Sequence, residues 1–159
     1  MRVIKNRTIV QDRWQRVADD APLPEGDVIV SFKRFQAEPQ AFAGRAGRVA
    51  VWIEPADDVD ALVPHLPRMD LVAISFPSFS DGRGFSHARL LRGRHGYRGE
   101  LRAIGDVLRD QIYFMARCGI DSFEIRADRS AEDALKALDE FTVRYQSAAD
   151  DAVPIWRLR

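Results

Sequence analysis

Apolar residues fall along this chain in short blocks, and the period of the pattern switches back and forth. Residues 28–32, 49–53, 71–76 and 101–104 are near-continuous runs of Val, Ile, Leu, Ala and Phe. Short runs of this kind, bounded by turn formers, predict strands covered on both faces. Residues 122–126 alternate Phe123 and Ile125 with Glu124 and Arg126, which predicts a fifth strand. Between the strands the spacing becomes helical. A weak helix is expected over 35–45, where Pro39 either opens or spoils it. Asp57 can cap a short helix with Val59, Leu62, Val63 and Leu66 inward, and residues 86–95 carry Leu90 and Leu91 inward. The strongest helical pattern covers 106–118, with Leu108, Ile112 and Met115 on one face and Gly119 placed to end it. Ser130 to Asp133 resembles a capping box for a last helix, whose stripe is Leu135, Leu138, Phe141 and Tyr145.

Alternating strand and helix means repeated βα units and a parallel sheet. The expected fold class is therefore α/β, with the sheet either open and doubly wound or curved as a partial barrel. Upstream, Asn6-Arg7 can turn a short N-terminal β-hairpin ending near Trp14, and residues 18–27 form a loop. One domain is expected over 1–159: hairpin and loop over 1–27, βα core over 28–146, and a polar tail over 147–159. In that tail Ile155 and Trp156 are expected to tuck back onto the body.

Charge narrows the partners. The 159 residues carry 24 basic and 24 acidic side chains, which argues against a nucleic-acid or polybasic membrane binder. No apolar run approaches the roughly 20 residues of a membrane helix, and the start lacks the apolar core of a leader, so a cytoplasmic protein is expected. One cysteine, Cys118, excludes an internal disulfide or a four-cysteine cluster within the chain, and its place on an inward stripe predicts a buried thiol. The basic residues are 21 Arg and 3 Lys. Seven Arg lie between residues 82 and 109 against only Glu100 and Asp106, an imbalance able to focus field on a small anion.

Parallel βα architectures bind ligands at the carboxyl ends of their strands. That rule selects Glu54, the loop from Ser75 to Gly84, Gly105-Asp106 and residues 126–128. The loop after the third strand contains Ser78, Phe79, Ser80, Asp81, Gly82, Arg83 and Gly84. Its two glycines would let a ligand approach backbone amides, Arg83 offers a planar donor fork, and a helix starting near Ser86 would add its free amides. The alternative is that Asp81 and Ser86 cap turns while Arg83 is solvated. Asp106 can cap its helix or pair with Arg83 or Arg109 at the same rim, with Glu54 as a further polar group. These nine residues, Ser78, Ser80, Asp81, Gly82, Arg83, Gly84, Asp106, Arg109 and Glu54, are the candidates for binding an anion or a partner. Gly82-Arg83-Gly84 is only the first half of a dinucleotide fingerprint, since His87 occupies the last glycine's place. His87 and His95 lie eight apart, off metal-chelating spacing, and are expected at the surface. No metal site and no cofactor are predicted, and no catalytic residue is assigned.

The run from Phe76 to Ser86, then Ala88 to Arg92, forms one recognisable pattern. Gly96 to Ala103, Gly105 to Gln111 and Arg117 to Glu124 continue it. Together these resemble domain-of-unknown-function family 934, bacterial proteins whose description associates them with oxidoreductase chemistry in sulfite reduction. The family pattern would have lysine where this chain has Ser78 and glutamine where it has His87, which shifts weight onto Arg83. The resemblance implies an accessory or binding protein of assimilatory sulfite reduction. Its partner would be sulfite reductase or another sulfate-assimilation enzyme, with a small oxyanion as ligand and a homodimer as one available state. The alternative is a stand-alone enzyme on a small anionic substrate, with Asp81 or Asp106 as acid/base and Arg83 as oxyanion clamp.

Overall fold

The computed structural model describes residues 2–78, 81–125 and 130–140, with side chains as far as Leu138. Its centre is one eight-stranded sheet. Strands β1 (Arg2–Lys5) and β2 (Thr8–Gln11) form the expected hairpin. Asn6 and Arg7 both take positive φ, 51° and 65°, the turn whose twist matches a two-residue hairpin. The hairpin ends at Gln11 rather than near Trp14. Strands β3 (Gln15–Arg16), β4 (Val28–Ser31), β5 (Val49–Ile53), β6 (Leu71–Phe76), β7 (Glu100–Gly105) and β8 (Ser122–Glu124) follow, each parallel to the next. The strand order is β2-β1-β8-β7-β6-β5-β4-β3, with β1 antiparallel to β8.

That order answers the question the period left open. From β3 to β8 every step goes the same way, whereas a doubly wound sheet reverses direction at a switch point. Right-handed crossovers that all step one way put their helices on one face. The sheet then curls. Arg16 on β3 reaches Glu124 on β8 at 3.1 Å. Five strand spacings in a flat sheet would separate those strands by about 24 Å, beyond the reach of two side chains. The protein is thus a mixed α/β half-barrel, mostly parallel, with a short antiparallel hairpin at one edge.

The helical layer covers the convex face. It contains α1 (Phe32–Ala37), α2 (Pro39–Phe42), α3 (Val59–Leu62), α4 (Arg83–Arg89), α5 (Arg109–Arg117) and α6 (Ala131–Glu140). The major core lies beneath it, from Val28, Val30, Val51, Ile53, Val72, Ile74, Leu101, Ala103 and Phe123. A smaller core fills the concave face, where Trp14 and Trp52 pack on Ile29, Ala50, Leu71, Ala73 and Ile104. The Arg48 guanidinium lies 4.6 Å from the Trp14 ring and closes that side.

Arg102 is also on the concave face and is 1% exposed. Its donors reach Asp12 Oδ2 at 2.7 Å, Glu100 Oε2 at 2.9 and 3.2 Å, and Ser122 Oγ at 3.2 Å. Lys5 Nζ adds a second cation 3.0 Å from Glu100 Oε1. Burial pushes the Glu100 carboxyl up, but Arg102, Lys5 and Ser122 outweigh it and hold the group below its ordinary range. A charge this deep is tolerable only because its partners are complete.

Several boundaries move. The helix expected over 35–45 is two short ones, because Ser31 already caps α1 by accepting the Arg34 N–H. Asp58 caps α3, while Asp57 accepts the Glu54 N–H. The fourth helix opens at Arg83, not Ser86, and runs on as a wide turn over Leu90–Arg94. α5 opens at Arg109, so Asp106 does not cap it. Gly105 has φ +91°, and a Cβ there would meet the Phe76 carbonyl oxygen at 2.7 Å. The chain needs that tight turn before it can become helical. Ser130 caps α6 as expected, accepting the Asp133 N–H at 3.0 Å. Arg126, Phe141, Tyr145 and the tail with Ile155 and Trp156 lie outside the described residues.

Candidate functional site

The loops after β6 and β7 meet at the carboxyl edge of the sheet. The Asp106 N–H donates to the Phe76 carbonyl at 2.7 Å and ties one to the other. Within the first loop the Asp81 N–H returns to the Ser78 carbonyl at 3.1 Å and makes a turn. Asp81 then accepts three bonds from Arg83: its backbone N–H at 3.0 Å, Nε at 3.1 Å and Nη2 at 2.8 Å. This clamp holds the Asp81 carboxyl down at about 2, with the Arg83 side-chain bond as the largest cause. The Arg83 side chain nonetheless remains 61% exposed. The loop therefore presents a guanidinium whose orientation is set before any ligand arrives.

The remaining candidates do not converge on it. Arg109 Nε is 2.9 Å from Asp133 Oδ2 and so leans toward α6. Glu54 is exposed and accepts the Trp52 indole N–H at 2.9 Å. Asp106 is half-buried beside the tie to Phe76. Ser80 lies outside the described residues, and Ser78 is half-buried in the turn. Gly82 and Gly84 were expected to supply unusual backbone, yet Gly82 has φ −84° and Gly84 lies within α4. Gly84 matters for size: a Cβ there would sit 2.6 Å from the Phe76 ring, whereas one at Gly82 would meet nothing within 4 Å.

The cationic stretch is also dispersed. Arg102 is sealed on the concave face. Arg92 points to the opposite, amino edge of the strands, where it donates to the carbonyls of Gly119, Tyr97 and Gly99 at 2.6–2.8 Å. Its Nη2 is 3.2 Å from Asp121, whose carboxyl is raised by burial despite that neighbour. A cleft of about 610 Å³ opens there, lined by Arg7, Arg92, Tyr97, Arg98 and Asp121 among others. At this edge of a βα sheet such groups serve stability, and saturated bonding to loop carbonyls gives Arg92 that role.

The two histidines contradict the expectation of surface positions. His95 is mostly buried, with Nε2 3.3 Å from Asp60 Oδ1. His87 is 9% exposed, and its Nε2 lies 3.1 Å from the Pro55 carbonyl oxygen. A carbonyl only accepts, so Nε2 carries the hydrogen and Nδ1 holds a lone pair. Nδ1 is buried without a hydrogen-bond partner. His87 thus bridges from α4 to the loop after β5. A signal for it existed: Gly84, His87, Ala88 and Leu91 are all buried, at helical spacing. Starting the helix at Ser86 hid the stripe. Cys118 is buried as expected. Among the described residues no three His, Cys, Asp or Glu gather to hold a metal, and no helix is long and apolar enough to cross a membrane.

Curled sheet, one-sided helices and an ion-paired rim define a small α/β half-barrel protein. The chain belongs to the family described as bacterial protein of unknown function, DUF934, which matches residues 50–156. No curated protein matches it. The matched region begins inside β5 and contains all nine candidate residues, from Glu54 to Arg109.

Proposed function

We propose that this protein is a cytoplasmic accessory protein of assimilatory sulfite reduction, docking on a partner enzyme through the loop after β6. The partner is sulfite reductase or another enzyme of sulfate assimilation, as the family resemblance implies. The observation that supports docking is the exposed Arg83 fork, pinned by Asp81. A free oxyanion gains little at a guanidinium whose charge is already offset by a neighbouring carboxylate. A protein surface gains more, because an arginine held in one orientation loses little entropy on binding and arginine is a recurrent interface anchor. Sulfite or a similar oxyanion remains a ligand of the same fork, through the donors that Asp81 leaves open. Titration of purified sulfite reductase into this protein should show saturable binding, weakened at least tenfold by Arg83→Ala. An absence of binding to that enzyme and to its pathway neighbours overturns the reading.

His87 supports the second reading, a stand-alone enzyme on a small anionic substrate. Its buried Nδ1 lone pair is a proton acceptor with no hydrogen-bond partner. Glutamine can donate to Pro55 in its place but cannot take up a proton. Turnover that survives His87→Gln removes the imidazole from the chemistry.

A further inference from the structure

Helix α5 has two faces. Ile112, Met115 and Ala116 are buried against the sheet. On the other side Asp110, Tyr113, Phe114 and Arg117 follow i, i+3, i+4, i+7 spacing and form a second stripe, in which Asp110 and Phe114 are exposed and Tyr113 and Arg117 half-buried. Phe114 is 54% exposed, the large apolar side chain that stands out at the surface among the described residues. The stripe is ordered internally. The Tyr113 and Phe114 rings meet edge to face at 5.5 Å, and the Arg117 guanidinium lies 5.7 Å from the Tyr113 ring. Aromatic and arginine side chains held in place by one another are typical interface anchors.

The pattern is also complementary to itself. When two copies of a helix pack antiparallel about a two-fold axis, residues equally far from the axis on opposite sides come level. With the axis between Tyr113 and Phe114, each Tyr113 faces the other copy's Phe114. Asp110 and Arg117 then lie equally far from the axis, about 5 Å along the helix at 1.5 Å per residue. Each Asp110 therefore meets the Arg117 of the other copy, twice per dimer. Aromatic contact at the centre and opposite charges at both ends come from a single placement of the axis.

The geometry points to a homodimer formed by α5 packing antiparallel on α5 of a second copy, with Phe114 at its centre and Asp110–Arg117 pairs at its ends. This surface is carried by α5 and does not include the Arg83 fork of the loop after β6. A single pair of nine-residue helices buries less than the ~1,200 Å² usual for stable complexes. The dimer is accordingly weak and depends on protein concentration.

Sedimentation of the purified full chain over a hundredfold concentration range tests it. Wild type should shift from monomer to dimer, and Phe114→Ser should remain monomeric with an unchanged melting temperature. Asp110→Arg and Arg117→Asp should each be monomeric, since each places like charges opposite one another at both ends. Mixing those two variants should restore dimers, because every end of the mixed pair again joins Arg to Asp. A wild type that stays monomeric overturns the inference. So does a dimer that survives Phe114→Ser, or a mixture of the charge variants that fails to associate. If Phe114 is instead covered only when sulfite reductase is added, the face belongs to that enzyme and the homodimer is wrong.

Discussion

Arg102 and Arg83 come from the same arginine-rich stretch and reach opposite ends of the range open to a charged side chain. Arg102 is sealed in the concave face and bonded to Glu100 on its own strand and also to Asp12 and Ser122 from distant parts of the chain. Arg83 stands in solvent and is held by a carboxylate two residues away. Arg102 thus combines burial with long-range partners, whereas Arg83 combines exposure with a local one. A buried cation with distant partners joins pieces of the fold, whereas a locally anchored, exposed one is positioned without bearing on the fold at all. Residue type and local charge density do not separate them; the origin of the partners does.

The largest expected effect breaks the buried side of the contrast. Arg102→Ala leaves buried Asp12 without its cation and Glu100 with Lys5 alone, and loss of one partner from a buried ion pair costs about 3–5 kcal/mol. Urea unfolding should show that loss, with β3 and the hairpin losing hydrogen-exchange protection first. A loss under 1 kcal/mol would mean that the cluster relaxes into water and holds little together.

The next effect concerns the two glycines of the exposed loop. Gly84→Ala forces a methyl group into the Phe76 ring, an overpacking worth about 1–3 kcal/mol. Gly82→Ala enters open space at an ordinary backbone angle and should leave stability unchanged or slightly improved. Thermal melts of the two variants should therefore diverge.

Arg83→Ala should leave the melting temperature of the free protein unchanged, as exposed ion pairs add little. It should remove any stabilisation that sulfite, sulfate or phosphate confers beyond chloride at equal ionic strength. Sulfate also stabilises proteins by exclusion from their surface, and that part must survive the substitution. An equal response in both proteins assigns the loop to protein contact alone.

The smallest effect is a titration. Asp81 has a folded pKa of about 2 against about 3.9 for an unfolded aspartate. Its folded value is depressed, so its contribution to stability is fully present above about pH 4 and is lost as pH falls through about 2. Carboxyl chemical shifts followed by NMR should place Asp81 near 2 in the wild type. In Arg83→Ala they should return toward the ordinary range.

Legibility in the sequence follows the same division. Residues 49–53 and 71–76 declare themselves as strands because covering both faces requires an unbroken apolar run. Asn6-Arg7 marks the hairpin because few pairs tolerate its backbone. The curl is invisible at that level, since it shows only in contacts between distant strands such as Arg16 with Glu124. Within the rim, Asp81 and Arg83 are legible as neighbours, but the Arg109–Asp133 pair depends on how α6 packs. His87 was missed because its stripe is built on glycine and alanine, small residues that carry no hydrophobic signal. Arg102 lies in an apolar strand, where burial follows from the strand while the partners that permit it do not.

The antiparallel seam of β1 with β8 sets an order of events during synthesis. Val3 pairs opposite Glu124 and Ile4 opposite Phe123, so among the described strands the one made earliest waits for the one made latest. Closing so long a loop is slow, although its entropic cost grows only with the logarithm of length. Until then the nascent chain carries a hairpin whose Val3 and Ile4, wholly enclosed at the end, face solvent. β8 in turn emerges with an unpaired flank open to strands of neighbouring chains. The parallel strands can accumulate one by one as they are made, but the flank of β8 is covered only when β1 pairs with it.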